Sequence, residues 1–275
     1  MKRVVIAGHR GRMGAMLLER LSRRQELDAV GVDLPFHEEE LADACHGARA
    51  VILCVPASAI AETAARFVPH IAPETILADI TSVKELPLRD MESLWNGPVV
   101  GTHPLFGPTP AEGMELRVPV IPGRNASEDD IAFIEALFQG FGCVTFRATA
   151  EEHDMAEAKI QGMNFITSAV YFAMTAEDPT LLRYLTPSFL RRKDSTEKQL
   201  TENRALFTWL FEANPHSQTM VLQYLGLLSM AATGNVDAIL DKAQKWWPQE
   251  GTARELKEQA KLADIQSTVM GLKKG

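Results

Sequence analysis

The chain has 275 residues, 46% apolar and 23% charged, an ordinary balance for a folded protein with room for two domains. Its formal net charge of −8 argues against a nucleic-acid partner, although local basic side chains could still gather an acidic metabolite. The three cysteines, Cys45, Cys54 and Cys143, form no C-x-x-C pair, so neither a metal site nor a disulfide framework is expected, and a reduced, cytoplasmic setting fits.

Arg3 to Gly8 reads as a strand and Met13 to Arg24 as an amphipathic helix. The opening run is too short for a signal peptide and meets His9 and Arg10 at once. No segment has the apolar length of a membrane span. Between strand and helix lies Gly8-His9-Arg10-Gly11-Arg12-Met13-Gly14. A dinucleotide fold places its pyrophosphate there, because glycines admit the backbone and the helix N-terminus offers free N–H groups. His9 stands where the first glycine of G-x-G-x-x-G is usual, so the loop reads G-x-x-G-x-x-G. The second strand, Leu27 to Asp33, ends on a carboxylate. An acid at that point accepts hydrogen bonds from a ribose and repels a 2′-phosphate, which favours NAD over NADP. Arg10 and Arg12 pull the other way.

A third strand, Ala50 to Val55, ends at Pro56, and Val55 and Pro56 are expected to border the cofactor. Thr75 to Ile80 is a fourth strand, followed by Thr81-Ser82-Val83-Lys84, and Pro98 to Gly101 a fifth, followed by His103. Helical patterns between the first four strands predict a parallel sheet covered on both faces. Ligands of such sheets collect beyond the carboxyl ends of the strands, where Ser82, Lys84 and His103 fall. A neutral imidazole there can take a proton from a hydroxyl while hydride leaves the same carbon. Ser82 could bind that hydroxyl or orient the ring. Pro104 and Pro108 stiffen the backbone around His103. His37, His46, His70 and His216 read as loop or surface residues, and His153, beside Asp154, as a structural residue at least as readily as a functional one.

Arg117 to Ile121 and Cys143 to Phe146 are further strands, with a helix from Ser127 to Phe138 between them. Thr149-Ala150-Glu151-Glu152 has the form of a capping box, and beyond it only helices are predicted, broken near Pro179, Pro187, Pro215, Gly234 and Pro248. The fold class is therefore α/β: a Rossmann-type dinucleotide-binding domain over 1–148, then an all-α substrate and dimerisation domain over 149–275. Leu222, Leu225, Leu227, Leu228, Trp246 and Trp247 offer more apolar surface than one helical layer hides, so a two-fold homodimer is expected.

The T-S-V-K element at 81–84, the G-T-H-P-L-F-G-P element at 101–108 and E-H-D-x-x-x-A-x-I-Q from Glu152 to Gln161 together resemble the prephenate/arogenate dehydrogenase (TyrA) family. The resemblance covers nearly the whole chain. It implies oxidation of prephenate with loss of carbon dioxide, giving 4-hydroxyphenylpyruvate for tyrosine biosynthesis. It also implies His103 as the base for the ring hydroxyl and Gln161 in the substrate site. The family's carboxylate-binding arginine falls at Lys198, with Arg191 and Arg192 nearby, and a family histidine after Gln161 is missing. That departure leaves room for an amino analogue as substrate, either arogenate or 4-amino-4-deoxyprephenate. It also leaves room for a dimeric NAD-binding protein without turnover. No mutase domain ahead of the chain and no regulatory domain after it are expected.

Overall fold

The computed structural model describes residues 1–201 and 204–246, apart from the side chains of Lys198 and Trp246. Seven strands, β1 (Lys2–Ala7), β2 (Leu27–Val32), β3 (Ala48–Leu53), β4 (Ile76–Asp79), β5 (Val99–Thr102), β6 (Leu116–Pro122) and β7 (Cys143–Arg147), form one sheet in the order β2-β1-β3-β4-β5-β6-β7. The first five run parallel. β6 turns back antiparallel to β5 because residues 103–115, between them, contain no crossover helix, and β7 is parallel to β6.

Side chains alternate across each strand, and in β1 this sends Val4 and Ile6 to one core and Val5 and Ala7 to the other. The first core is closed by α1 (Arg12–Ser22) and α5 (Glu128–Gln139), through Leu17, Leu21, Ile131 and Ile134. The second is closed by α2 (Glu38–Cys45), α3 (Ile60–Phe67) and α4 (Glu85–Leu94), through Leu41, Phe67, Leu88 and Met91. Each fully buried large side chain contributes about 1.5–3 kcal/mol. The chain passes from β1 to β2 on one side and to β3 on the other, so a crevice opens between the carboxyl ends of β1 and β3.

After β7, Thr149 caps α6 (Ala150–Glu157) in the expected capping box with Glu152. The same helix continues through a π-helical stretch at Ala158–Gly162 into α7 (Met163–Ala176). That stretch was not anticipated; it rotates the residues after Glu157 relative to an ideal helix, and π-helical turns are common at functional sites. Beyond a short turn at Pro179–Tyr184 come α8 (Pro187–Thr201), α9 (Arg204–Ala213), α10 (Ser217–Ala232) and α11 (Val236–Trp246). The breaks fall at Pro179, Pro187, Pro215 and Gly234; Pro248 and Trp247 lie outside the described residues. Among the described residues, no helix is long and apolar enough to cross a membrane.

Candidate active site

Gly8 follows β1 at φ 85°, and a Cβ there would stand 2.5 Å from the Cys54 carbonyl oxygen. A Cβ on Gly14 would stand 2.2 Å from the Gly8 carbonyl oxygen. Both contacts require glycine, and together they draw the loop and the first turn of α1 against the end of β3. The N-terminus of α1, at Gly11, has no side-chain cap, so its N–H groups remain available to an anion. Asp33 accepts hydrogen bonds from the backbone N–H of Arg10 at 2.7 Å and of Leu34 at 2.8 Å. It shares a cavity of about 1010 Å³ with Gly8, Gly11, Val55 and Pro56. A glycine cradle, an uncapped helix end and a carboxylate on one cavity fit a dinucleotide.

A second cavity, of about 1100 Å³, shares Val55 and Pro56 with the first and adds Met13, Ile80, Ser82 and Trp209. A third, of about 340 Å³, shares Ser82 with the second and is walled by Glu157, Gln161, Phe165 and Ser217. The three follow one another across the carboxyl ends of β1, β3 and β4 to the helical half. Asp33 stands at one end of the series and Glu157 at the other.

His103 follows β5 and is 4% exposed. Its Nδ1 lies 3.0 Å from Nε2 of His153, and Nδ1 of His153 lies 2.8 Å from Oδ1 of Asp154. Asp154 is fixed in turn: its oxygens accept from the backbone N–H of Lys84 at 2.7 Å and of Glu85 at 2.9 Å, while Asn214 donates to its carbonyl at 2.7 Å. A carboxylate only accepts, so Nδ1 of His153 donates to it. With both rings neutral, Nε2 of His153 accepts from Nδ1–H of His103, which leaves the lone pair of His103 on Nε2. Burial first, then the neighbouring His153 and the Lys84 ammonium, hold the His103 pKa well below 6.5. The arrangement supplies a neutral, oriented base.

Lys84 corrects a sequence expectation. Its place beyond the end of β4 predicts a substrate-binding side chain, but it is fully buried. Its ammonium donates to Asp79 Oδ2 at 2.5 Å and to the Thr102 carbonyl at 2.6 Å. Burial pushes its pKa down, against the opposing pull of Asp79 and Asp154. It acts from behind the site, bracing the strand end that carries His103.

Other expectations divide the same way. Ser82 lines the second and third cavities and Gln161 the third. Met13 lines the second. His9 turns its ring onto the sheet, where a Cβ on Gly31 would meet its Cγ at 2.6 Å, so it offers the cofactor crevice its backbone and not its imidazole. Arg10 and Arg12 are exposed, and Arg10 donates to the Leu34 carbonyl at 3.2 Å. Arg191 donates to Ser188 Oγ at 3.3 Å, and Arg192 stacks on Tyr171 at 4.1 Å and lines a separate apolar groove with Met163 and Leu225. Neither reaches the Ser82 cavity, because their positions on α8 face α7 and solvent. Lys198 is on α8, with its side chain outside the described residues. Among the described residues lining the second and third cavities there is no lysine or arginine.

Sequence reading missed Asp79, Glu157, Asn214 and Ser217, and gave His153 no definite role. The i, i+4 spacing of His153 and Glu157 was the available signal for one of these. The partnership of Asp79 with Lys84 depends on β4 and its following loop, and nothing local announced it.

The family model "Prephenate dehydrogenase, nucleotide-binding domain" matches residues 9–118. The T-protein of Enterobacter agglomerans is 34% identical over 179 residues, 64% of this chain and 46% of that protein. The chain thus spans about half the length of the curated relatives it matches. Among solved structures, Synechocystis arogenate dehydrogenase is similar with a TM-score of 0.70 at 21% identity, covering 89% of this chain and 97% of that one. Prephenate dehydrogenase from A. aeolicus, in complex with hydroxyphenyl propionate and NAD+, gives a TM-score of 0.61 at 18% identity, covering 98% of both chains. At these identities the structural likeness establishes the fold.

Proposed function

We propose, from the likeness of the chain to prephenate and arogenate dehydrogenases, that it is an NAD-dependent oxidoreductase that oxidatively decarboxylates prephenate to 4-hydroxyphenylpyruvate. The observation that carries this reading is the His103–His153–Asp154 chain beside a series of cavities that begins at a dinucleotide-binding loop. NAD, when bound, supplies the hydride acceptor. The rest is done by the protein. Gly8, Gly11 and Gly14 with the α1 N-terminus take the pyrophosphate, and Asp33 takes the ribose. Ser82 faces the substrate hydroxyl. His103 Nε2 accepts the hydroxyl proton as the carbon beneath it is oxidised, and His153 and Asp154 hold the imidazole in the tautomer that can do so. Departure of the ring carboxylate as carbon dioxide makes the ring aromatic and the step irreversible. Lys198 is the candidate cation for a substrate carboxylate, and Gln161 a hydrogen-bonding wall of the same cavity.

A cytoplasmic homodimer completes the proposal. Leu222, Leu225 and Leu228 on α10 are 68%, 52% and 48% exposed and flank or line the groove that holds Arg192. A second copy of this surface would cover them. The decisive test incubates the protein with prephenate and either NAD or NADP. Reduced NAD should form together with 4-hydroxyphenylpyruvate and carbon dioxide in equal amounts. Cofactor binding without turnover of any cyclohexadienyl substrate would leave only the reading of an NAD-binding protein.

A further inference from the structure

His153 and Glu157 lie four residues apart on α6, one helical turn, and so share a face of that helix. His103 meets that face from beyond the end of β5. A ring nitrogen from each histidine and a carboxylate oxygen of Glu157 lie within 4.8 Å of one another, and all three residues are buried. Among the described residues, no other three His, Cys, Asp or Glu side chains gather in this way. The facing nitrogens of the two rings, Nδ1 of His103 and Nε2 of His153, are 3.0 Å apart. A shared hydrogen accounts for that distance. A cation needs little more, since two nitrogens each about 2.0 Å from a tetrahedral ion stand about 3.3 Å apart.

His153 is already supported as a metal ligand would be. Its other nitrogen donates to Asp154 at 2.8 Å, and Asp154 is fixed by the backbone N–H groups of Lys84 and Glu85. A carboxylate behind a ligating histidine sets the tautomer and ring orientation that a metal needs. Glu157 supplies what a hydrogen-bonded histidine pair does not require, a buried carboxylate whose Oε2 has no partner. The cavity it shares with the unpartnered hydroxyl of Ser217 admits about one water. That is the space for the water that completes a site with three protein ligands. Charge points the same way. Asp79, Asp154 and Glu157 are buried carboxylates around one buried ammonium, that of Lys84, which is engaged with Asp79 and the Thr102 carbonyl. When all are ionised, two negative charges are in excess, and uncompensated buried charge is costly. A divalent cation cancels it.

We propose that His103 Nδ1, His153 Nε2 and the Glu157 carboxylate form a zinc site that switches the dehydrogenase off. Two imidazoles and one carboxylate are a donor set for a borderline-soft, four-coordinate ion, whereas magnesium and calcium favour oxygen ligands. The cavity series that reaches Glu157 by way of Ser82 gives the ion its path in. The rings part by a few tenths of an ångström and the Glu157 side chain turns toward them. The switch follows from one proton. In the metal-free pair, Nδ1 of His103 carries the hydrogen and Nε2 the lone pair that acts as base. Coordination uses the Nδ1 lone pair, so the hydrogen of the neutral ring passes to Nε2. The substrate hydroxyl then meets an N–H and loses its proton acceptor. Nothing is oxidised or reduced, and no proton is gained or lost by the ring. The effect on turnover rests on the dehydrogenase reading above; the metal site itself does not.

The test titrates the full chain, first stripped with a chelator, with Zn2+ in a calorimeter, and follows turnover of prephenate and NAD in parallel. The wild type should take up one equivalent. Glu157→Gln and His153→Asn should each weaken binding by at least about 10²-fold, the upper end of what loss of an outer-shell partner alone costs. His70→Asn, which removes a histidine paired with Glu38, should not change it. Mg2+ at the same concentration should not displace the zinc. Bound zinc should stop turnover, a chelator should restore it, and Glu157→Gln should need about 10²-fold more zinc to be inhibited. Melting curves establish that each variant is folded, and Glu157→Gln decides alone where His153→Asn is not. No stoichiometric uptake by the wild type, or equal losses in Glu157→Gln and His70→Asn, would overturn the site. Uptake that depends on Glu157 yet leaves turnover untouched would overturn the switch, by keeping His103 off the metal. A chain that takes up zinc through Glu157, binds NAD and turns over no cyclohexadienyl substrate would end the dehydrogenase reading and leave the zinc site standing.

Discussion

The sheet half and the helical half settle their side chains differently. In the first, strands such as Val4-Val5-Ile6-Ala7 are wholly buried between two layers of helices. In the second, Val170, Met174, Leu222 and Leu225 are 54%, 68%, 68% and 52% exposed, and Glu157 and Ser217 are buried with an unpartnered oxygen each. The sheet half also buries an unpartnered atom on each of His9 and Asp79. What sets the helical half apart is its apolar surface without cover. The site lies on the seam, with His103 from the first half held by His153 and Asp154 from the second. Docking the halves is therefore what builds the base: Asp154 reaches Lys84 and Glu85 across the seam, and Asn214 secures Asp154 from behind.

Breaking the seam at its catalytic end should have the largest effect. His103→Asn keeps a polar side chain but removes the proton acceptor, so turnover should fall by about 10²–10⁴-fold, while NAD affinity, set at the other end of the cleft, should hold. The pH profile sharpens this. A base must be neutral to act, and the pKa of His103 is held well below 6.5. The wild-type kcat/KM should thus be flat on account of this group through neutral pH and decline only in more acidic solution, as pH falls through the lowered value. A limb centred at 6.5 or above would mean that the imidazole is better solvated than the structure shows. Lys84→Met tests the support from beneath. It strands Asp79 without its cation, and breaking a buried ion pair costs about 3–5 kcal/mol, read as a lower midpoint in denaturant. It also removes a positive charge near His103, so the acid limb should move to higher pH, which loss of stability alone would not do.

Much of the sheet half was legible because its signals are local. Strand runs, the glycine loop and Asp33 at a strand end each announce themselves within a few residues. The capping box at Thr149 did the same for the first helix of the other half. The GTHPLFGP element flagged His103, but its partners could not be read from it, since His153 lies 50 residues away and only the fold brings the rings within reach. Lys84 misled for a related reason. A lysine after a strand end reads as exposed until β4 and β5 are seen to close over it around Asp79. Arg191 and Arg192 misled because charge along a helix does not tell which side meets the cleft. The π-helical stretch shifts that facing again just after Glu157.

Glu157 gives the next effect in size, and its sign is opposite. Its pKa rises from the ordinary 4.5 to about 7 on folding, so the folded chain favours the protonated form. The group is neutral in both states below pH 4.5, and the penalty for its buried charge grows as pH rises from there through about 7. Glu157→Gln should accordingly leave stability near that of the wild type at pH 4 and raise it by about 1–3 kcal/mol at pH 8, by the linkage of pKa shift to stability. Melting curves at the two pH values measure it.

The smallest effect belongs to Asp33, in the sheet half. Both of its oxygens already accept backbone N–H groups, from Arg10 and Leu34, so the carboxylate has two tasks: it ties the glycine loop to the end of β2 and it faces the ribose side of the cavity. Serine in its place retains one acceptor for the loop and removes the negative charge that repels a 2′-phosphate. Asp33→Ser should narrow the NAD-over-NADP preference by about tenfold, mostly by strengthening NADP, since Arg10 and Arg12 stand exposed nearby and are then unopposed. Titration of both cofactors at two salt concentrations separates the contributions. A gain in NADP affinity that shrinks as salt rises is the mark of the arginines acting on a phosphate. A loss of affinity for both cofactors alike would make Asp33 a loop brace first and a ribose ligand second.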